Sequence, residues 1–227
     1  MMGYTLSIIV ILLCGSTVDA LIKVDVYYET LCGDSIRFIK NQLIPAYNNL
    51  HQYLDINFVP YGKAKYIEVQ PQQWTLDCQH GPVEYEGNKA HACVLDQIDR
   101  LAIPKANKQF LKVKFVDCAL GSKNPAAAAR QCAANLGLNS IDNCCTSSYG
   151  DDLLAHCGYI TECLEPPLSF VPTIVINDVY SDANQEMALV NFVELIRNYI
   201  SATRWQRFVS TGVLGGPDSG SIAYSFK

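Results

Sequence analysis

Lys23 to Tyr28 reads as a strand, with Val24 to Tyr28 its buried part. The spacing then changes to that of a helix. Ile36, Ile39, Leu43 and Tyr47 recur along one face, widened by Phe38 and Ile44. Pro45 is placed to kink that helix. Leu54-Asp55-Ile56-Asn57-Phe58-Val59 alternates as a half-buried strand does, and Pro60 and Gly62 stop it. Strand, helix and strand of these lengths predict a β-α-β unit with parallel strands. Beyond Gly62 the pattern changes. Residues 63–167 hold most of the cysteines and most of the helical periodicity. They include an Ala-rich helix begun by Asn124-Pro125 and stopped at Gly137, and another through Leu153, Leu154, Cys157 and Ile160, ended by Pro166-Pro167. Lys112 to Val116 fits either a short strand or a helix end. The whole region is expected to be a helical insertion stapled by disulfides.

The β pattern returns at Phe170–Tyr180, as a strand, a tight Asn177-Asp178 turn and a short second strand. Leu189, Phe192, Val193, Leu195, Ile196 and Ile200 then form a helical face. The folded domain is predicted over residues 21–203. A loose tail is predicted over 204–227, rich in Gly and Ser from Ser210, with Ile222, Tyr224 and Phe226 free to pack somewhere. At the other end, the apolar run Leu6 to Cys14 and the small residues around Val18-Asp19-Ala20 read as a secretory leader over residues 1–20. The run is too short to cross a bilayer, which needs about 20 residues. An exported, soluble protein is expected.

Composition narrows the function. Of 227 residues, 49% are hydrophobic and 17% charged, enough to bury a core. The net charge of -5, with no basic tract, excludes the footprint of a nucleic-acid binder. There are 10 cysteines, and Cys14 would leave with the leader. The nine that remain form an odd set, so an exported chain keeps one free thiol or links to another molecule. The simplest partition leaves Cys32 free and pairs the other eight, in any of 105 connectivities. Cys144 and Cys145 are adjacent and should take different partners.

Cys32-Gly33-Asp34-Ser35 carries the chemistry. The cysteine follows the first strand and opens the helix, where the helix dipole favours the reactive thiolate form. Asp34 opposes that form by like-charge repulsion. A dithiol redox site needs a second thiol at the position that Ser35 holds. A hydroxyl does not replace it, because exchange runs through a thiolate. Ser35 also reads as a cap of the helix at Ile36. The order β-α-β, insertion, hairpin, helix resembles a thioredoxin fold, in the α/β class, with an insertion. In that fold a cis-proline before the third strand packs beside the reactive cysteine. Val171-Pro172-Thr173 resembles that strand, with Asp178 where secreted disulfide oxidoreductases commonly have Gly.

Cys78-Gln79-His80-Gly81-Pro82-Val83-Glu84-Tyr85-Glu86-Gly87-Asn88-Lys89-Ala90-His91-Ala92-Cys93 resembles the signature of the gamma-interferon-inducible lysosomal thiol reductase family, C-Q-H-G-x-x-E-C-x-x-N-x-x-x-x-C. Cys78, Gln79, His80, Gly81, Glu84, Asn88 and Cys93 match, and Tyr85 replaces the middle cysteine. Tyr85 leaves open which cysteine, Cys32 or that residue's former partner, is unpaired. Cys78, His80, His91 and Cys93 also make a C-x-H…H-x-C arrangement. Its spacing is not that of common zinc sites, and export favours disulfides, so no metal and no cofactor are expected.

The resemblance implies a two-step exchange. Cys32 would attack a substrate disulfide, a resolving cysteine at position 35 would release it, and Pro172 would line the site. With Ser35, release needs an outside thiol, and efficient reductase activity is expected to be lost or much weakened. Three roles follow: an extracellular binding protein, a monothiol reductase, or an isomerase that shuffles disulfides through Cys32. Expected partners are protein disulfides or an extracellular or cell-surface protein, with the chain a monomer or a disulfide-linked dimer. No N-x-[ST] sequon occurs, and family members reach lysosomes by a route using N-linked sugars, so secretion is favoured over a lysosomal address.

Overall fold

A computed structural model describes residues 21–70 and 73–210. The proposed leader, its cleavage site and the tail beyond residue 210 lie outside the described residues. β1 (Ile22–Tyr28) is the middle strand of a three-stranded sheet ordered β2-β1-β5. β2 (Leu54–Pro60) runs parallel to it and β5 (Thr173–Ile176) antiparallel. The alternation sorts the two faces. Val24, Val26 and Tyr28 are fully buried on one, with Ile56, Phe58, Ile174 and Ile176 beside them in register. Tyr27, Val59 and Val175 make the other face, against Cys157, Ile160, Leu164 and Leu168.

Between β1 and β2 run α1 (Gly33–Phe38), a π-helical segment (Ile39–Leu43) and α2 (Ile44–Leu50). Pro45 has no N–H to give a carbonyl four residues back, and its ring crowds that carbonyl. The widened turn lies just ahead of it, with the Ile44 N–H bonded five residues back to Ile39 O. The disturbance expected at Pro45 takes that form.

The insertion starts differently from the expectation. It opens with a hairpin, β3 (Lys65–Gln70) against β4 (Gln73–Asp77). The helices follow: α3 (Pro82–Asp99), α4 (Lys105–Leu120), α5 (Ala129–Asn135), α6 (Asp142–Cys145) and α7 (Ser148–Glu162). Lys112–Val116 is helical, inside α4. The Ala-rich helix starts only at Ala129, because Asn124-Pro125 opens a turn in which Asn124 O takes the N–H groups of Ala127 and Ala128. It stops as expected before Gly137, at φ 72°.

After β5, Asn177 and Asp178 both have positive φ, 52° and 63°, the conformation of a type I′ turn. The second strand of that hairpin shrinks to one bridge, Val179 to Ile176. α8 (Asp182–Ser210) then covers the sheet, so the segment from residue 204 to 210 is helix rather than loose tail. The helix breaks at Asn191. Gln42 meets the break: its Nε2 donates to Val190 O at 3.1 Å, and its Oε1 accepts from Phe192 N at 3.2 Å.

Both outer strands are closed by a glutamine. Gln109 of α4 accepts from Ile56 N at 2.8 Å and donates to Leu54 O at 2.9 Å along β2. Gln185 of α8 accepts from Ile174 N at 2.9 Å and donates to Pro172 O at 2.9 Å beside β5.

The cysteines depart from the full pairing expected. Cys93–Cys144 and Cys118–Cys132 are bonded. Cys32 is free, and so are Cys78, Cys145, Cys157 and Cys163. Cys144 and Cys145 do part company, one bonded and one free. No described helix is long and apolar enough to cross a membrane.

Candidate active site

Cys32 is the last extended residue before the helix, at φ -70° and ψ 118°, and it occupies the N-cap position of α1. Its N–H donates to Glu29 O at 3.4 Å, and its carbonyl accepts from Ile36 N at 3.0 Å. Its thiol donates to Val171 O at 3.7 Å, and the Val171–Pro172 peptide bond is cis. The turn after β1 and the loop before β5 therefore meet at one sulfur. They meet because β1 and β5 are hydrogen-bonded neighbours in the sheet.

Ser35 is not the cap. It sits one turn inside α1, wholly buried, and its Oγ accepts from Glu29 N at 3.5 Å. Cys32 keeps 8% of its surface, so the thiol is the outer member of the pair and the hydroxyl the inner one. Asp34 is exposed and bonded to Arg37 one turn on. Beside the thiol, a groove of about 380 Å³ runs between Asp34, Arg37 and Phe38 on one side and Phe170, Pro172 and Leu189 on the other.

The signature residues do not line this groove. They build a clamp behind it. Gly81 caps α3 at φ 76° and ψ -164°, a region open to glycine alone. Glu84, fully buried in the first turn of α3, reaches back to accept from His80 N at 3.2 Å, a variant of the capping box. Its other oxygen is 2.6 Å from His80 Nδ1. One turn on, buried Asn88 accepts from both Thr30 N (3.0 Å) and Thr30 Oγ1 (2.9 Å). That contact needs Gly87, where a Cβ would fall 2.5 Å from Thr30 Oγ1 and 2.8 Å from Ala126 Cα. His91 Nδ1 lies 2.8 Å from Tyr28 Oη at the end of β1, and burial depresses the imidazole to about 3. Cys93 closes the series by bonding Cys144. Gln79 is exposed and Cys78 buried. α3 thus grips Tyr28 and Thr30, next to the loop that presents Cys32.

Tyr85 makes a polar link where the family has a cysteine. Its hydroxyl donates to Asp151 of α7, and Lys89 Nζ reaches both Tyr85 Oη and Asp151 Oδ1 at 3.1 Å. Among the other free thiols, burial pushes Cys78 and Cys157 each up to about 12 and raises Cys145. Thiols so raised stay protonated and are poor nucleophiles.

Cys78, His80, His91 and Cys93 do not converge, since Cys93 is bonded and His91 faces Tyr28. Among the described residues, the group that could hold a metal ion is Glu29, His80 and Glu84, with ligand atoms within 4.8 Å of one another. Burial raises the Glu29 carboxyl, the Lys63 N–H opposes this, and the Glu84 charge adds to the rise. The sequence reading passed over Glu29 and Thr30. The available signal was a pair of polar residues between a buried strand and the reactive cysteine.

Residues 23–136 match the family model described as "Gamma interferon inducible lysosomal thiol reductase (GILT)". "GILT-like protein 1" of Drosophila melanogaster is 34% identical over 192 residues, covering 81% of this chain and 76% of that one. The "Gamma-interferon-inducible lysosomal thiol reductase-like protein" of Anopheles gambiae is 34% identical over 178 residues, 75% of this chain and 73% of that one. The "Gamma-interferon-inducible lysosomal thiol reductase" of Carassius auratus is 30% identical over 179 residues, 77% and 67% respectively.

Proposed function

The chain belongs to the gamma interferon inducible lysosomal thiol reductase family, and from that premise we propose that it captures protein disulfides through Cys32 without completing a reductase cycle of its own. The carrying observation is the pairing of Cys32, which keeps 8% of its surface and lies 3.7 Å from the carbonyl before the cis-proline, with a wholly buried hydroxyl at Ser35. The Cys32 thiolate attacks one sulfur of a substrate disulfide. The second substrate sulfur leaves as a thiolate, and a mixed disulfide remains. Ser35 holds no sulfur to attack that bond. Release needs an external thiol, which takes the substrate as a new disulfide and returns Cys32 reduced.

Between captures the protein is a binding module. Phe170 and Leu189 flank the groove at 37% and 41% exposure, an apolar rim suited to a protein surface. We place its action outside the cell, following the leader-like residues 1–20. The test is reduction of a protein disulfide at acidic and neutral pH, with an external thiol, for wild type, Ser35→Cys and Cys32→Ser. Wild type should accumulate a mixed disulfide when the thiol is left out and turn over slowly when it is present. Ser35→Cys should gain turnover, and Cys32→Ser should form no adduct. Wild-type turnover equal to that of Ser35→Cys would overturn the reading.

A further inference from the structure

We propose that Glu29, His80 and Glu84 form a divalent metal site, best suited to Zn²⁺, at the base of the reactive loop. The three ligand atoms come from the end of β1 and the start of α3 and lie within 4.8 Å of one another. Glu29 is 0% exposed. Its Oε1 accepts from Lys63 N at 2.7 Å, but its Oε2 has no hydrogen-bond partner among the described residues. That oxygen points at His80 Nδ1, 3.7 Å away, too far for a hydrogen bond. His80 Nδ1 is already engaged by Glu84 Oε2 at 2.6 Å. One buried carboxylate oxygen is therefore left facing an imidazole nitrogen and a second buried carboxylate.

An uncompensated buried carboxylate is costly. A divalent cation offsets both carboxylates at once. The donor set, one imidazole nitrogen and two carboxylate oxygens, is one that Zn²⁺ accepts, with bonds of about 2.1 Å and ligand atoms about 3.4 Å apart in a tetrahedron. The observed separations of 2.6 and 3.7 Å bracket that value. Binding would replace the direct contact between His80 Nδ1 and Glu84 Oε2. Three protein ligands leave a fourth position open, and the His80 side chain, 38% exposed, gives an ion its way in. The cradle for Glu29 depends on Gly62, where a Cβ would fall 2.2 Å from Glu29 Cγ. The ion would fasten the backbone that holds Cys32 and Ser35, because Glu29 O and N are their partners.

This site is separate from disulfide capture, and its test reads metal rather than turnover. The purified full chain, metal-free and with its free thiols reduced, is titrated with Co²⁺ and followed by absorption. One equivalent should bind with weak d–d bands and no thiolate-to-cobalt charge-transfer band. Zn²⁺ should displace it. Glu29→Gln keeps the shape and the bond from Lys63 N, and it should weaken binding at least about tenfold. His80→Gln should do the same, while Gln79→Ala, an exposed neighbour outside the set, should bind as wild type. Absence of binding, a thiolate band, or wild-type affinity in the two ligand variants would overturn the site. Should Glu29→Gln fail to fold, His80→Gln, at a partly exposed position, decides alone.

Discussion

The loop that carries Cys32 and the insertion behind it use sulfur in opposite ways. In the insertion, sulfur is structural: Cys93–Cys144 ties α3 to α6, and Cys118–Cys132 ties α4 to α5. At the loop, sulfur is a single free thiol, and no disulfide holds the segment from Glu29 to Ser35 in place. The loop is held by packing and hydrogen bonds, and those to Thr30 come from Asn88 of α3, which is itself stapled. The reactive end borrows its rigidity from the stapled end. The long signature is read best as that coupling, since Glu84, Asn88 and Cys93 each serve to dock α3 and none of them lines the groove beside the thiol.

Three measurements break or sharpen the contrast. The largest effect is expected from Cys93→Ala with Cys144→Ala. The bond spans 51 residues, and loop-closure entropy of that length is worth about 4 kcal/mol. Equilibrium denaturation should show that loss, and Cys32 should alkylate faster in the same variant. Unchanged Cys32 reactivity would mean that the loop does not lean on α3. Next is Asn88→Ala, which strands Thr30 N and Thr30 Oγ1 in a buried place and should cost about 2–3 kcal/mol. It should also raise hydrogen exchange at the Thr30 amide ahead of the sheet.

The third effect is graded by acid and is the smallest over any single pH unit. Folded His91 stays neutral down to about 3, whereas the unfolded imidazole takes a proton near 6.5. Folded-state affinity for the proton is lowered, so the stability it contributes is complete above 6.5 and is lost as pH falls from there toward about 3. The slope is about 1.4 kcal/mol per pH unit. Denaturation at several pH values should show it, and His91→Gln should flatten it.

The β-α-β unit was legible because β1, β2 and the helix between them carry their periods openly in the sequence. The β3–β4 hairpin was not, although Gln73-Trp74-Thr75-Leu76-Asp77 alternates, because its runs are short and the helical periods that follow dominate the region. Lys112–Val116 was ambiguous for a related reason: its alternation mimics a strand, and the burial of Val113, Val116, Ala119 and Leu120 at helical spacing decides it. At the candidate site, Cys32 and Pro172 were readable from local motifs. The alternative reading of Ser35 as a cap fails because a hydroxyl three residues into a helix looks the same in sequence as one at its start. Glu29 with His80 lies beyond such reading, since it joins the ends of two elements 51 positions apart. Cysteine pairing also depends on geometry, here Cα–Cα distances of 6.0 and 5.8 Å.

The two glutamines that border the sheet have a consequence of their own. An exposed strand edge is a template on which another chain can lay down a strand. Gln109 and Gln185 each present an amide with one donor and one acceptor, spaced like a peptide group, and so occupy that template from within. The sheet can neither be extended by a visiting peptide at those rungs nor seed pairing between copies. Visitors are left with the loop, the cis-proline and one sulfur.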